Sequence, residues 1–374
     1  MIRSEQRPQI LSFLTISHII SALHQSYFSC MNLAWQTYLQ SHNAAIEDDC
    51  VAHYGDASTE LRSTHSKTIL ADLSHFGLIH FSGEDASTFL QGQLSCDVRK
   101  IDPYTAQYGS YCTPKGRMLA SFLIWNNGGE YFMQIPATLH VTIEKRLSMF
   151  VLRSKVKLAD DSNILVRIGI AGNRAAEAIK ETFGTAPSPH LGVIYGEHES
   201  ILCLAQNRFE IIATPEHAPK LWKHLRKYAV PVGKSCWEWL EIKAGIPIIT
   251  PATQEQFIPQ MANLEAIGGI SFQKGCYPGQ EIVSRTQYLG KLKRRMYLAN
   301  LHTTELVTAG DELYSDDMEE QSSGMIVNAA PSPDGGYDVL AVIQINSVKA
   351  GKIYWKTLDG PTLEIMPLPY LLKY

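Results

Sequence analysis

Residues 257–285 hold the densest chemistry in the chain. They read FIPQMANLEAIGGISFQKGCYPGQEIVSR, with four glycines, two prolines, one cysteine and a Gln-Glu pair. Within them, Lys274-Gly275-Cys276-Tyr277-Pro278-Gly279-Gln280-Glu281 sets a thiol on a glycine-flanked turn with an ammonium two residues away. A nearby cation lowers a thiol pKa and favours the nucleophilic thiolate, so Cys276 is a candidate reactive group and Lys274 its candidate activator. The same residues also suit a tight loop with an incidental cysteine, because glycine-rich loops often serve only a close backbone approach.

The other thiols predict little chemistry. Cysteines lie at positions 30, 50, 96, 112, 203, 236 and 276, an odd number with the nearest pair 16 residues apart. No CxxC or zinc-knuckle spacing exists, so no metal site or disulfide framework is expected. Buried, inert thiols in a reducing cytoplasm are the expectation. Other familiar handles fail as well. Gly233-Lys234-Ser235 resembles the end of a phosphate loop, but Tyr228 stands where that loop needs glycine. There is no G-x-G-x-x-G after a strand, no H-E-x-x-H and no G-x-S-x-G elbow.

Elements must position the 257–285 segment, and their pattern is mixed. ILADLSHFGLIHF, from Ile69 to Phe81, alternates like a half-buried strand pair, and Glu84 to Leu94 reads as a helix. Tyr108–Cys112 and Arg117–Trp125 flank Thr113-Pro114-Lys115-Gly116 as a hairpin. Helices are expected over Ala137–Val151, Arg174–Phe183 and Ala218–Tyr228, with a strand over Ile164–Ala171. Beyond Arg295 short β-like runs are punctuated by Pro333-Asp334-Gly335-Gly336 and Asp359-Gly360, which predicts a small antiparallel barrel. A chain of 374 residues, 45% apolar and 19% charged, is a folded protein of two or three domains. Its net charge of −4 argues against coating nucleic acid through an overall basic field.

The N-terminus carries a decoy. Ile10–Leu23 reads ILSFLTISHIISAL after Arg3 and Arg7, but polar residues break it, and it is too short to span a bilayer. Residues 1–30 are read as an extension outside the folded part, with Met31 a plausible natural start.

The signature K-G-C-Y-x-G-Q-E, preceded by F-I-P-Q and N-L, resembles that of the YgfZ family of folate-binding proteins. The likeness extends to Ala244-Gly245-Ile246-Pro247, to Gln91-Gly92-Gln93 with Asp97, to Ser154-Lys155-Val156 and to Pro367-Leu368-Pro369-Tyr370, and so spans about residues 67–374. That family is in turn similar to the T-protein of the glycine cleavage system, an aminomethyltransferase. The resemblance implies an α+β, three-lobed fold with a central tetrahydrofolate site and a C-terminal antiparallel β-barrel. It implies a division into a folate-binding part of two interwoven lobes over 31–285 and a barrel over 286–374. The implied function is a cytoplasmic, tetrahydrofolate-binding accessory protein, rather than a classical enzyme, that supports iron-sulfur enzymes, including those that methylthiolate tRNA. No membrane role is implied.

Residue by residue, Asp97 matches the catalytic aspartate of the T-protein, with Cys96 in place of the usual preceding asparagine. The folate-flanking aromatics fall at Trp237 and Phe76, and the signature adds Gly275, Tyr277, Gln280 and Glu281 as expected folate contacts. The G-E-x-G-aromatic-E motif of the T-protein corresponds to Gln206–Glu210, which lacks the first glutamate and the glycine. That loss weighs against the alternative of a folate-dependent one-carbon transferase; a scaffold with a vestigial pocket is the other alternative. Charge adds one clue: residues 282–304 contain Arg285, Lys291, Lys293, Arg294 and Arg295 with no acid, while residues 311–320 hold six acids. Such a run is either a solvated face or a patch for a polyanion, the polyglutamate tail of folates or an RNA-bound partner.

Overall fold

The computed structural model describes residues 31–372; the expectation for residues 1–30 lies outside them. Two short helices open the fold, and both are held by side-chain caps. Asn32 accepts from the Trp35 amide at 3.1 Å at the start of Leu33–Gln40, and Asp56 accepts from the Thr59 amide at 2.7 Å at the start of Ala57–Thr64.

Three sheets carry the rest. A five-stranded antiparallel sheet runs in the order Ala106–Cys112, Met118–Asn127, Glu130–Pro136, Phe76–Ser82, Lys157–Asp160. The Thr113–Arg117 hairpin closes its first pair, with Gly116 at φ 71°. A six-stranded sheet runs Val193–Tyr195, Glu199–Ala205, Arg208–Ala213, Val166–Ala171, Ile69–Asp72, Val230–Val232. Its central strands Val166–Ala171 and Arg208–Ala213 are buried along their whole length, and only its last pair is parallel. The third sheet runs Ile353–Trp355, Glu312–Ser315, Gly324–Pro331, Tyr337–Gln344, Arg294–Leu301, Leu363–Met366. It curls into a half-barrel whose edges meet at one bridge, Tyr354 to Thr362, where the sequence suggested a barrel.

One apolar core joins the three lobes, running from Ile69 and Phe81 through Ile124 and Trp237 to Met296, Leu298 and Val342. Polar clips fix the junctions. The Trp239 indole on the Lys234–Lys243 helix donates to Asp338 at 2.8 Å. Asn328 brackets Ile248, accepting from its amide at 2.9 Å and donating to its carbonyl at 2.7 Å. Tyr370 donates to the Gly245 carbonyl at 2.8 Å, and a Cβ at Gly245, φ 68°, would fall 2.6 Å from its ring. The two motifs at 244–247 and 367–370 therefore form one contact.

Residues 244–279 contain no helix or strand. Their backbone is satisfied by neighbouring strands and by side-chain amides, as buried backbone must be. Met118 donates to the Phe257 carbonyl and accepts from the Glu255 amide, both at 2.8 Å. Gln254 donates to Leu119, Gln260 to Val283 and Asn263 to Met296, at 2.8, 2.6 and 2.9 Å. The Gln- and Asn-rich composition of this stretch thus replaces a hydrogen-bond ladder. Among the described residues no helix is long and apolar enough to cross a membrane.

Candidate functional site

Between strands of the five-stranded sheet, Leu204 of the six-stranded sheet and the irregular 246–267 stretch lies a narrow apolar cleft. Phe76, Tyr108, Phe122, Ile135, Pro247 and Leu264 wall it, and Gln134 and Glu241 add polar groups. The cleft is small, about 40 Å³. A second cavity of about 370 Å³, which includes His75, Lys234 and Glu238, shares Phe76, Pro136, Glu241 and Ile248 with it. Those four residues are the wall between the two chambers.

Behind the cleft lies a buried polar network. Gln134 donates to Glu210 at 3.0 Å, while the other Glu210 oxygen is buried with no partner. Burial pushes the Glu210 carboxyl up to about 7, against the Gln134 hydrogen bond and the charge of Arg167. Arg208 stands 3.5 Å from Glu241 and donates to the Leu240 carbonyl at 3.0 Å. Burial also holds the Tyr108 hydroxyl above its ordinary range, with Glu241 adding to it and Arg208 opposing. Glu210 is not itself part of the cleft wall: Gln134 stands between, and its own carbonyl oxygen is also buried without a partner. Two unpartnered acceptors at and behind an aromatic-walled cleft suit a flat heterocycle that presents paired N–H donors.

The signature loop is a separate place. Lys274 is buried and donates from Nζ to the carbonyls of Leu94 and Cys96 at 2.6 and 2.8 Å, with its ammonium 5.1 Å from the Tyr277 ring. Burial pulls that ammonium down to about 8, with Cys96 and Asp97 opposing. The sequence expectation that Lys274 activates Cys276 is corrected here. The ammonium ties the loop to the Leu94–Asp97 turn, while Cys276 is exposed to solvent. Gln280 donates back to the Lys274 carbonyl at 3.2 Å. Gly279, at φ 83°, lies so close to the hairpin that a Cβ would come 2.5 Å from Gly116 Cα, so glycine is required by both strain and space. Tyr277 is buried, and Gly275 and Glu281 are exposed.

Of the other expected contacts, Phe76 lines the cleft. Asp97 is half-buried at the foot of the loop, accepting from Gln91 at 2.9 Å and lying 3.9 Å from Lys100. Trp237 differs from the expectation that it stacks on a ligand, because it is fully buried and is not part of the cleft wall. Its ring packs so tightly on Gly169 that a Cβ there would fall 2.5 Å away, and Arg208 lies over it at 5.8 Å. Sequence reasoning missed Gln134, Tyr108 and Glu241, which sit singly in apolar strands or helices. Glu210 had a signal: it is the one acid kept from the G-E-x-G-aromatic-E pattern.

The chain matches the family model described as GCVT N-terminal domain over residues 51–271. It is 32% identical over 307 residues to the tRNA-modifying protein YgfZ of Enterobacter sp. (strain 638), which covers 81% of this chain and 94% of the relative. The protein of that name from Sodalis glossinidius (strain morsitans) is 30% identical over 316 residues, 83% of this chain and 96% of the relative. This chain belongs to the YgfZ family. The fold of this YgfZ-family chain is that of an aminomethyltransferase: the glycine cleavage system aminomethyltransferase T from Bartonella henselae superposes with a TM-score of 0.74. That match covers 91% of this chain and 98% of the other at 16% identity. Among the described residues no group of three His, Cys, Asp or Glu could hold a metal.

The family signature makes one thiol stand apart. Burial pushes Cys50, Cys96 and Cys112 up to about 12 and Cys236 up to about 11, and it raises Cys203. Exposed Cys276 is therefore expected to alkylate first of the six described cysteines in a brief iodoacetamide treatment near neutral pH. Peptide mapping checks this; equal labelling of a buried thiol would contradict it.

Proposed function

We propose that this chain binds tetrahydrofolate, or a one-carbon derivative of it, in the cleft walled by Phe76, Tyr108 and Gln134, and that it supports the assembly or repair of iron-sulfur enzymes, including those that modify tRNA. The observation that carries the folate half is Glu210, buried behind Gln134 with one oxygen unpartnered. The pterin edge offers two N–H donors to such a carboxylate, and Phe76 offers a stacking face. Binding requires the shared wall of Phe76, Pro136, Glu241 and Ile248 to part, because a cleft of about 40 Å³ admits only water. The adjoining chamber then brings the space into the range of small-molecule sites. When bound, the folate would supply one-carbon chemistry; the chain's own residues hold and orient the ring and keep water from it.

The accessory half rests on family membership and on the separation of Cys276 from the cleft. A thiol on the outer surface is placed for another macromolecule rather than for the buried ligand. Restoration of an iron-sulfur methylthiotransferase activity in cells deleted for the chain tests it. Wild type should restore the activity and Cys276→Ala should fail while still folding and binding folate. Full restoration by Cys276→Ala would instead assign the chain as a scaffold.

A further inference from the structure

The loop that carries Cys276 is bordered by cations from three different elements. Lys274 pins the loop to the turn that leads into the short helix of Arg99 and Lys100. Gly279 and Ile282 pack on Gly116, which brings Lys115 at the hairpin tip against the first turn of the Gln280–Tyr288 helix. That helix and the stretch after it contribute Arg285 and Lys291. All five of these cations are exposed, and among the described residues only Lys100 has an acid within 4 Å, Asp97 at 3.9 Å. The exposed acids near this face are Glu281 and Glu255, whose amide donates to Met118 beside the hairpin, and among the described residues neither lies within 4 Å of the five cations. In a chain of net charge −4 this segregation gives one face a sign opposite to the whole.

An aromatic ring stands within the basic face. Tyr288 is 68% exposed, and Phe272 meets it edge-on at 6.1 Å, which holds the phenol up without covering it. Exposed rings interleaved with unpaired cations make the surface used for flexible nucleic acid: phosphates meet the cations and an unstacked base lies on the ring. The acidic segment 311–320 lies beyond, on the side where Ile345 donates to the Lys293 carbonyl at 2.9 Å and Ser347 to Asp317 at 2.9 Å. It marks one edge of the face.

We propose that this face docks RNA with unpaired bases directly beside Cys276. The site is independent of the folate cleft, so its failure leaves the folate reading untouched. The test is fluorescence anisotropy with a labelled transfer-RNA transcript and with a fully paired RNA duplex, on variants whose thermal melts match wild type. The transcript should bind, with affinity falling steeply from roughly 50 to 200 mM salt. Arg285→Glu with Lys291→Glu should weaken it at least tenfold and lower the log–log salt slope by about 1 to 2, whereas Lys220→Glu with Lys223→Glu, on the Ala218–Leu225 helix, should change nothing. Tyr288→Ala should weaken the transcript about fivefold or more and leave the duplex unaffected. Absence of transcript binding overturns the proposal. So does poly-glutamate binding as tightly as the transcript with Tyr288→Ala silent, which would assign the face to an acidic polypeptide.

Discussion

Trp237→Ala is expected to destabilise the protein by about 3 to 5 kcal/mol, the cost of truncating a large buried aromatic in a core that cannot collapse into the gap. Trp237 has no exposure and its ring lies against Gly169, a position in a fully buried central strand. The strand backbone on that side cannot follow the lost ring without breaking its pairing with Arg208–Ala213. Arg208 would lose the ring beneath it as well, although Glu241 and the Leu240 carbonyl remain as partners. Urea unfolding measures the loss. A change below about 1 kcal/mol, with folate affinity sharply reduced, would return Trp237 to the ligand.

Glu210→Gln is expected to remove a pH-dependent destabilisation of the native state. With the carboxyl at about 7 in the fold and near 4.5 when unfolded, the native state holds a proton that the unfolded chain has released across that window. Native stability therefore falls as pH rises from about 4.5 to about 7, by roughly 3 kcal/mol for this group, and the loss is complete above that range. The amide has no proton to lose. The stability difference between variant and wild type should thus move in favour of the variant from pH 5 to pH 8. A difference that stays constant across that range would mean that Glu210 is ionised throughout.

Much of the architecture was legible because its elements are long and periodic. The strand pair at 69–82, the hairpin at Thr113–Gly116, the helices at Ala137–Ser148 and Ala175–Phe183 and the C-terminal strands all follow local pattern. The helices Leu33–Gln40 and Ala57–Thr64 did not stand out, since each is eight residues long and is held by one cap and by tertiary contacts. The strand Glu312–Ser315 was hidden in an acidic run whose polarity suggested loop. The site was legible only in part. Cys276, Gly279 and Phe76 were visible through the signature and the family likeness, whereas the direction of the Lys274 ammonium was not. Sequence spacing put that cation beside the thiol, yet the loop turns it inward to two carbonyls 178 and 180 residues away. Gln134 and Glu210 lie 76 residues apart on different sheets, so no local pattern could pair them.

The central claim is that the Glu210 carboxylate holds the folate ring. Calorimetric titration of wild type with tetrahydrofolate from pH 6 to pH 8 tests it most directly, with Glu210→Gln alongside. Below about pH 7 the site must release the Glu210 proton to bind, so wild-type affinity should rise toward tenfold per pH unit up to about 7 and then level off. Glu210→Gln should bind about 10- to 100-fold more weakly at pH 8, with no such rise, as expected for the loss of charged hydrogen bonds. Wild-type affinity that is flat across this range and equal to that of Glu210→Gln, or no binding at all, would contradict the account.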